Sequence, residues 1–235
     1  MKILGIDASG LSASVAILED EKLVAEYTIN NKLTHSHTLM PMISEICKMV
    51  NLDLETIDAI GVASGPGSFT GLRISAGTAK GMALGLDIPI VGIPTLDAIA
   101  NNIQYTDHVI CPIMDARRNH LYTALYKWEN DVLNRLTDHM IIPVTDVIKV
   151  LEERDEKVIF MGDGIDVYKE EIMASLGEKA YFAPPSLKLQ RASTVAILAM
   201  EKARAGETIS HMDFAPVYLR PSQAEREYKE RQKAE

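Results

Sequence analysis

Hydrophobic positions in the first thirty residues are broken by turns at the spacing of short strands. Ile3, Leu4 and Ile6 run up to Asp7, a small polar turn follows, and Val15, Ile17 and Leu18 start again. Residues 23–29 read as a third strand after the charged turn 19–22. Helical periodicity takes over near Thr34, where Leu39, Ile43, Ile46 and Val50 share one face. The pattern then predicts a strand over 59–63, a Gly-rich loop over 64–71 and a helix over 72–86. A strand over 88–93 and a short helix over 95–103 complete the first part.

The second part begins as the first did. Residues 108–114 form an apolar run ending at Asp115, and 121–126 return. An offset of 108 places Asp7 on Asp115, Ala8 on Ala116 and Ala16 on Ala124 without gaps. Strand, Asp-Ala, polar turn, strand is thus written twice, which points to two similar lobes. The expected division is 1–105 and 106–220, followed by a polar, charged tail at 221–235. Within the second lobe the pattern predicts helices over 144–154, 167–176 and 193–205 and a strand over 158–161, which turns at Gly162-Asp163-Gly164. The tail has mixed charge and no apolar face, so it reads as frayed or as a helix ordered by a partner.

Composition narrows the class. The 235 residues are 47% hydrophobic and 24% charged, enough for a real core. No apolar run reaches the ~18–20 residues of a membrane span, and the N-terminus turns polar too early for a signal peptide. Cys47 and Cys111 show no paired spacing, which fits a reducing, cytoplasmic setting. A net charge of −9 argues against unaided grip on a phosphate backbone.

Three features carry candidate chemistry. The turn after Asp7 can present backbone N–H groups to an anion and a carboxylate to a hydrated cation; it can equally be an ordinary Asp-capped turn. The run Ser64-Gly65-Pro66-Gly67-Ser68-Phe69-Thr70-Gly71-Leu72-Arg73 joins a strand to a helix N-terminus, where anions are favoured. It is not a Walker A loop, a dinucleotide GxGxxG or a GxSxG elbow, because Arg73, Thr70 and Pro66 break those templates. A rigid turn and a phosphate or partner contact both remain open. Finally, Gly77, Gly81 and Gly85 repeat every four residues along the next helix. Each costs about 0.5–1 kcal/mol relative to Ala unless a second helix approaches closely, from the same chain or from another. Met40, Met42, Met49 and Met82 suit such an adaptable contact. His35 and His37 lack a third ligand nearby and read as capping or exposed residues, not a metal site.

Leu4-Gly5-Ile6-Asp7, Thr34-His35-Ser36, Leu39-Met40-Pro41 and above all Gly65 through Ile74 resemble the TsaB (YeaZ-like) family. That family supplies a subunit of the bacterial machinery making threonylcarbamoyladenosine in tRNA. Asp115-Ala116-Arg117-Arg118 and Pro216-Val217-Tyr218-Leu219-Arg220 extend the likeness to about residues 1–220. The loop is specific to the family, whereas the Asp hairpin is shared across the actin/Hsp70/sugar-kinase superfamily.

The resemblance implies an α/β fold of two actin-like (ribonuclease H-like) lobes, each a mixed sheet flanked by helices, the second lobe reduced. It implies a non-catalytic scaffold for the catalytic subunit TsaD, with the ATPase TsaE as a third member, in t6A formation at tRNA position 37. The metal then resides on TsaD. Its histidine pair follows the strand and Pro matching Gly92-Ile93-Pro94, where this chain has no histidine over 95–101. The first-lobe helices are implied to form the pairing surface, through His35, Leu39, Met42, Ile43, Ile46, Ala76, Gly77, Lys80, Gly81 and Leu84, and to support self-pairing when TsaD is absent. A nucleotide or partner loop is expected at Asp7, Ser9, Gly65, Pro66, Gly67, Ser68, Phe69, Thr70, Gly71 and Arg73, taking ATP or ADP weakly at the subunit junction. Contact with tRNA is expected to be indirect. The enzyme alternatives are a small kinase of the same superfamily, disfavoured by the short second lobe, and a peptidase, for which no nucleophile elbow or metal pair is visible.

Overall fold

Strand β1 (Lys2–Asp7) pairs antiparallel with β2 (Ala13–Glu19), which pairs antiparallel with β3 (Lys22–Ile29). On its other side β1 takes β4 (Ala59–Gly65) and β4 takes β5 (Ile90–Pro94), both parallel, so the order is β3-β2-β1-β4-β5. The computed structural model describes residues 1–31, 34–220 and 232; the expected 221–235 tail, apart from Gln232, lies outside the described residues. β1 and β4 are buried on both faces, which is why they read as near-continuous small and apolar runs.

The second sheet repeats this plan. Its path is β10 (Met140–Pro143), β7 (His120–Thr123), β6 (Val109–Asp115), β11 (Val158–Met161) and β12 (Ala180–Phe182). Each junction has the sense of its counterpart: antiparallel for β10–β7 and β7–β6, parallel for β6–β11 and β11–β12. The repeat therefore covers five strands, three more than the sequence match. The expected return strand 121–126 is broken at the buried Ala124 and Leu125, and the chain continues as a hairpin of β8 (Tyr126–Glu129) and β9 (Val132–Arg135). Asn130 and Asp131 turn it with φ of 51° and 61°, the left-handed pair that two-residue hairpin turns require. Among the described residues no helix is long and apolar enough to cross a membrane.

Helices α1 (His35–Met49) and α2 (Phe69–Leu86) cover one face of the first sheet, bringing Leu39, Ile43, Ile46, Ala79 and Ala83 onto Val15, Ile60 and Val62. α4 (Val144–Glu152) and α5 (Ile165–Leu176) do the same for the second. Two further helices cross over. α3 (Thr95–Ala100), which ends the first repeat, sets Leu96, Ile99 and Ala100 against Ile110, Met114 and Tyr126 of the second sheet. α6 (Ala192–Arg204), expected within the 106–220 lobe, packs Val195, Ala196 and Ala199 on Ile3, Ala59 and Val91 of the first. Two glycines make this possible: a Cβ on Gly5 would meet the Ala192 carbonyl at 2.3 Å, and one on Gly61 the Ala199 Cβ at 2.5 Å. The start of α6 is held by Glu26 of β3, which accepts from the Ser193 N–H at 2.9 Å and Oγ at 2.6 Å and pairs with Arg191. A carboxylate is well placed at a helix N-terminus.

Candidate functional site

The two Asp turns have matching geometry. Asp7 Oδ1 accepts the N–H of Ser9 at 2.8 Å, and Asp115 Oδ1 accepts the N–H of Arg117 at 2.8 Å. Both turns lie at the C-terminal ends of corresponding strands, and a cleft of about 400 Å³ opens between the lobes there. The first lobe contributes Ser9, Gly10, Leu11, Gly67, Ser68 and Phe69; the second contributes Asp115, Arg117, Arg118, Tyr122 and Asp163 among others. A third wall comes from Val217 to Arg220, near the end of the described chain.

On the first-lobe side, Ser68 caps α2, its hydroxyl accepting from the Gly71 N–H at 3.3 Å. The helix consequently starts at Phe69, three residues before the expected 72. The capped turn is pressed onto the Asp7 hairpin: the Ser68 N–H donates to the Ser9 carbonyl at 2.7 Å, and a Cβ on Gly67 would meet that same carbonyl at 2.3 Å. Backbone thus fills the space above Asp7. Asp7 is fully buried and does not line the cleft, which corrects its expected place among ligand contacts. Burial pushes its carboxyl up to about 6, against the bonds from the Ser9 hydroxyl and N–H, while Oδ2 has no partner.

Arg73 also departs from expectation. Its guanidinium lies 4.1 Å from the centre of the Phe69 ring and its Nε donates to the Tyr218 hydroxyl at 3.4 Å, outside the cleft lining. Pro66 is buried behind a cis Gly65–Pro66 peptide, and Thr70 is exposed on the outside of α2. Among the described residues, the cations that do face the cleft are Arg117, Arg118 and Arg220. Arg117, Arg118 and Asn119 have φ of 65°, 56° and 58°, a left-handed run that lifts the first two into solvent. Across the same turn, Asp163 Oδ1 accepts the Asp115 N–H at 3.1 Å, and burial raises the Asp163 carboxyl to about 6. The sequence marks Arg117 and Arg118 as part of the family likeness but gives them no ligand role. The offset of 108 is the available signal, since it sets the two turns in equivalent positions.

The expected pairing surface divides in two. Leu39, Met42, Ile43, Ile46 and Ala76 are buried in the chain's own core, because a stripe at helical spacing is what covers the sheet; they do not face a partner. His35 is half-buried, its Nε2 2.9 Å from the Gly10 carbonyl. Gly77, Gly81 and Leu84 are exposed, with Lys80 half-buried beside them. A Cβ on Gly77, Gly81 or Gly85 would meet nothing within 4 Å, so α1 is not the helix that approaches this stripe. Among the described residues no three His, Cys, Asp or Glu side chains cluster to hold a metal ion.

A family model described as TsaD, tRNA N6-adenosine threonylcarbamoyltransferase, matches residues 22–228. The Bacillus subtilis (strain 168) tRNA threonylcarbamoyladenosine biosynthesis protein TsaB is 34% identical over 233 residues, covering 99% of this chain and 100% of that protein. The chain belongs to the TsaB family. Among solved structures, YeaZ from Pseudomonas aeruginosa superposes with a TM-score of 0.79 at 25% identity, covering 93% of this chain and 99% of that one. Component A of (R)-2-hydroxyglutaryl-CoA dehydratase from Acidaminococcus fermentans shares the fold at a TM-score of 0.52 and 14% identity, over 87% of this chain and 99% of that one. The TsaB fold seen here is accordingly the actin-like one, with paired sheets flanked by helices.

Proposed function

We propose that this TsaB-family chain takes part in forming N6-threonylcarbamoyladenosine at tRNA position 37, as a non-catalytic scaffold for a TsaD-like catalytic subunit that works with a TsaE-like ATPase. The observation that carries this reading is the outer face of α2, where Gly77, Gly81 and Gly85 leave a smooth open track for a second helix. Three exposed helix glycines cost stability in the free chain and recover it only under close packing. The partner's metal-binding histidines have no equivalent over 95–101. That stretch is α3, whose Leu96, Ile99 and Ala100 are committed to the core. With a charge of −9, direct tRNA contact falls to the partners. In the absence of TsaD the same face pairs two copies of the chain.

A second site accompanies the first. The cleft takes ATP or ADP weakly, with Arg117 and Arg118, rather than Arg73, toward the phosphates. The kinase alternative shares this cleft, and ADP release across sugars and small acids separates the two.

The deciding experiment is Gly81→Leu. It is expected to abolish co-purification with the TsaD-like subunit and to stop modification in a reconstituted system, while the monomeric chain melts no lower than the monomeric parent. Unchanged affinity for the partner would overturn the scaffold reading.

A further inference from the structure

After α6 the chain returns along the first lobe before crossing to the second. Ile209 bridges antiparallel to Ile90, and Phe214, 3% exposed, sinks into the core beside Gly92. Lys80 Nζ donates to the Phe214 carbonyl at 2.9 Å and the Met212 carbonyl at 3.3 Å, which fixes this anchor from α2. Beyond Phe214 the character changes. Val217 and Tyr218 are exposed, yet the segment is tied to the cleft rim by contacts from three of its residues. The Val217 N–H donates to the Ser64 carbonyl at 2.7 Å, and the Tyr218 ring rests 4.8 Å from that of Phe69. The Arg220 guanidinium reaches the other lobe, donating to the Ala116 carbonyl at 2.9 Å. Gly65 permits the first of these ties, since a Cβ there would stand 2.4 Å from the Val217 carbonyl.

We propose that residues 217–220 are a latch across the mouth of the cleft, hinged behind the Phe214 anchor, and that release of Arg220 from Ala116 opens the cleft to an anionic ligand. The idea rests on the reading of the cleft as a nucleotide site. A buried anchor followed by an exposed segment with few ties is the arrangement that opens locally while the fold stays intact. The tie that spans the lobes is also the easiest to exchange. A guanidinium pairs more strongly with a phosphate than with a neutral carbonyl, so an incoming polyanion competes directly for Arg220.

Thiol labelling of an Ala116→Cys chain tests the latch without any ligand. Ala116 lines the cleft at 7% exposure; Cys111 is fully buried, and Cys47, at 8%, is replaced by Ser in every labelled chain so that it adds no background. Adding Arg220→Ala is expected to speed labelling by about tenfold, the effect of losing one charged hydrogen bond. Tyr218→Ala should act in the same direction. Should the Ala116→Cys substitution impair folding, hydrogen exchange of the Val217 amide in the otherwise native chain replaces it, again about tenfold faster with Arg220→Ala. Labelling or exchange unchanged by both substitutions would overturn the latch. Calorimetry with ATP on the same proteins decides the nucleotide reading separately, so failure of the latch is distinguishable from failure of that reading.

Discussion

A Cβ on Gly71 would stand 2.0 Å from the carbonyl oxygen of Ala8. Backbone meets backbone there, and no side-chain rotation can relieve the contact. Gly71→Ala is therefore expected to destabilise the chain by about 1–3 kcal/mol, read from urea denaturation. Gly77→Ala, six residues on in the same helix, should stabilise the monomeric chain by about 0.5–1 kcal/mol, because open space receives the methyl group. Equal costs for the two would contradict this account of α2.

Asp7 gives a pH dependence. Its carboxyl titrates near 3.8 when unfolded and at about 6 when buried, so between those values the folded chain holds a proton that the unfolded chain has lost. Its contribution is fully present at lower pH and declines as pH rises through that window, levelling off above it. Asp163 acts in the same direction. Asp7→Asn keeps an acceptor for Ser9 without a buried charge. It should be more stable than the parent at about pH 8 by roughly 1–3 kcal/mol, with the gap closing near pH 4.

The crossed helix α3 is pinned by one carboxylate. Asp97 Oδ1 accepts from the Tyr126 hydroxyl at 2.6 Å and lies 2.8 Å from His139 Nε2. Burial works to raise the Asp97 carboxyl, but the bonds from His139 and Tyr126 outweigh it and hold it below its ordinary value. Its stabilisation is thus present above the ordinary Asp range and lost as pH falls below it. Tyr126→Phe should cost about 1.5–3 kcal/mol at neutral pH and lose part of that penalty in acid, measured by urea midpoints across pH.

Glu26 makes the matching attachment for α6. Arg191→Ala leaves this half-buried carboxylate with Ser193 alone, and a loss of about 1–3 kcal/mol is expected. Limited proteolysis should then cut first near the start of α6. Cleavage elsewhere with α6 still protected would remove Glu26 from this role.

Much of this arrangement is visible in the chain. The periodicity of Leu39, Ile43 and Ile46 locates α1, the Asp-Ala repeat locates both hairpins, and the Gly65–Arg73 run points to the family. What the sequence hides depends on contacts distant along it. Nothing local in Ala192–Arg204 says which sheet it covers; the sign is in Gly5 and Gly61, nearly two hundred residues upstream for the first. The family resemblance implies Leu39 and Ile46 as partner contacts, and the apolar stripe cannot separate that from core packing, since it looks the same whether it meets its own sheet or another chain. Arg73 reads as a phosphate ligand because a cation after a helix N-terminus suggests one, whereas Phe69 and Tyr218 already occupy it.

The exchange of α3 and α6 has a consequence for synthesis. All five strands of the first sheet have been made once the ribosome passes Pro94, but the helix that covers Ile3, Ala59 and Val91 arrives only with Arg204. For more than a hundred residues of translation, that apolar face of a finished sheet has only Ala98 of α3 as cover from the helices of its own chain. The first sheet therefore completes its second packed face only after the strands of the other sheet have been made.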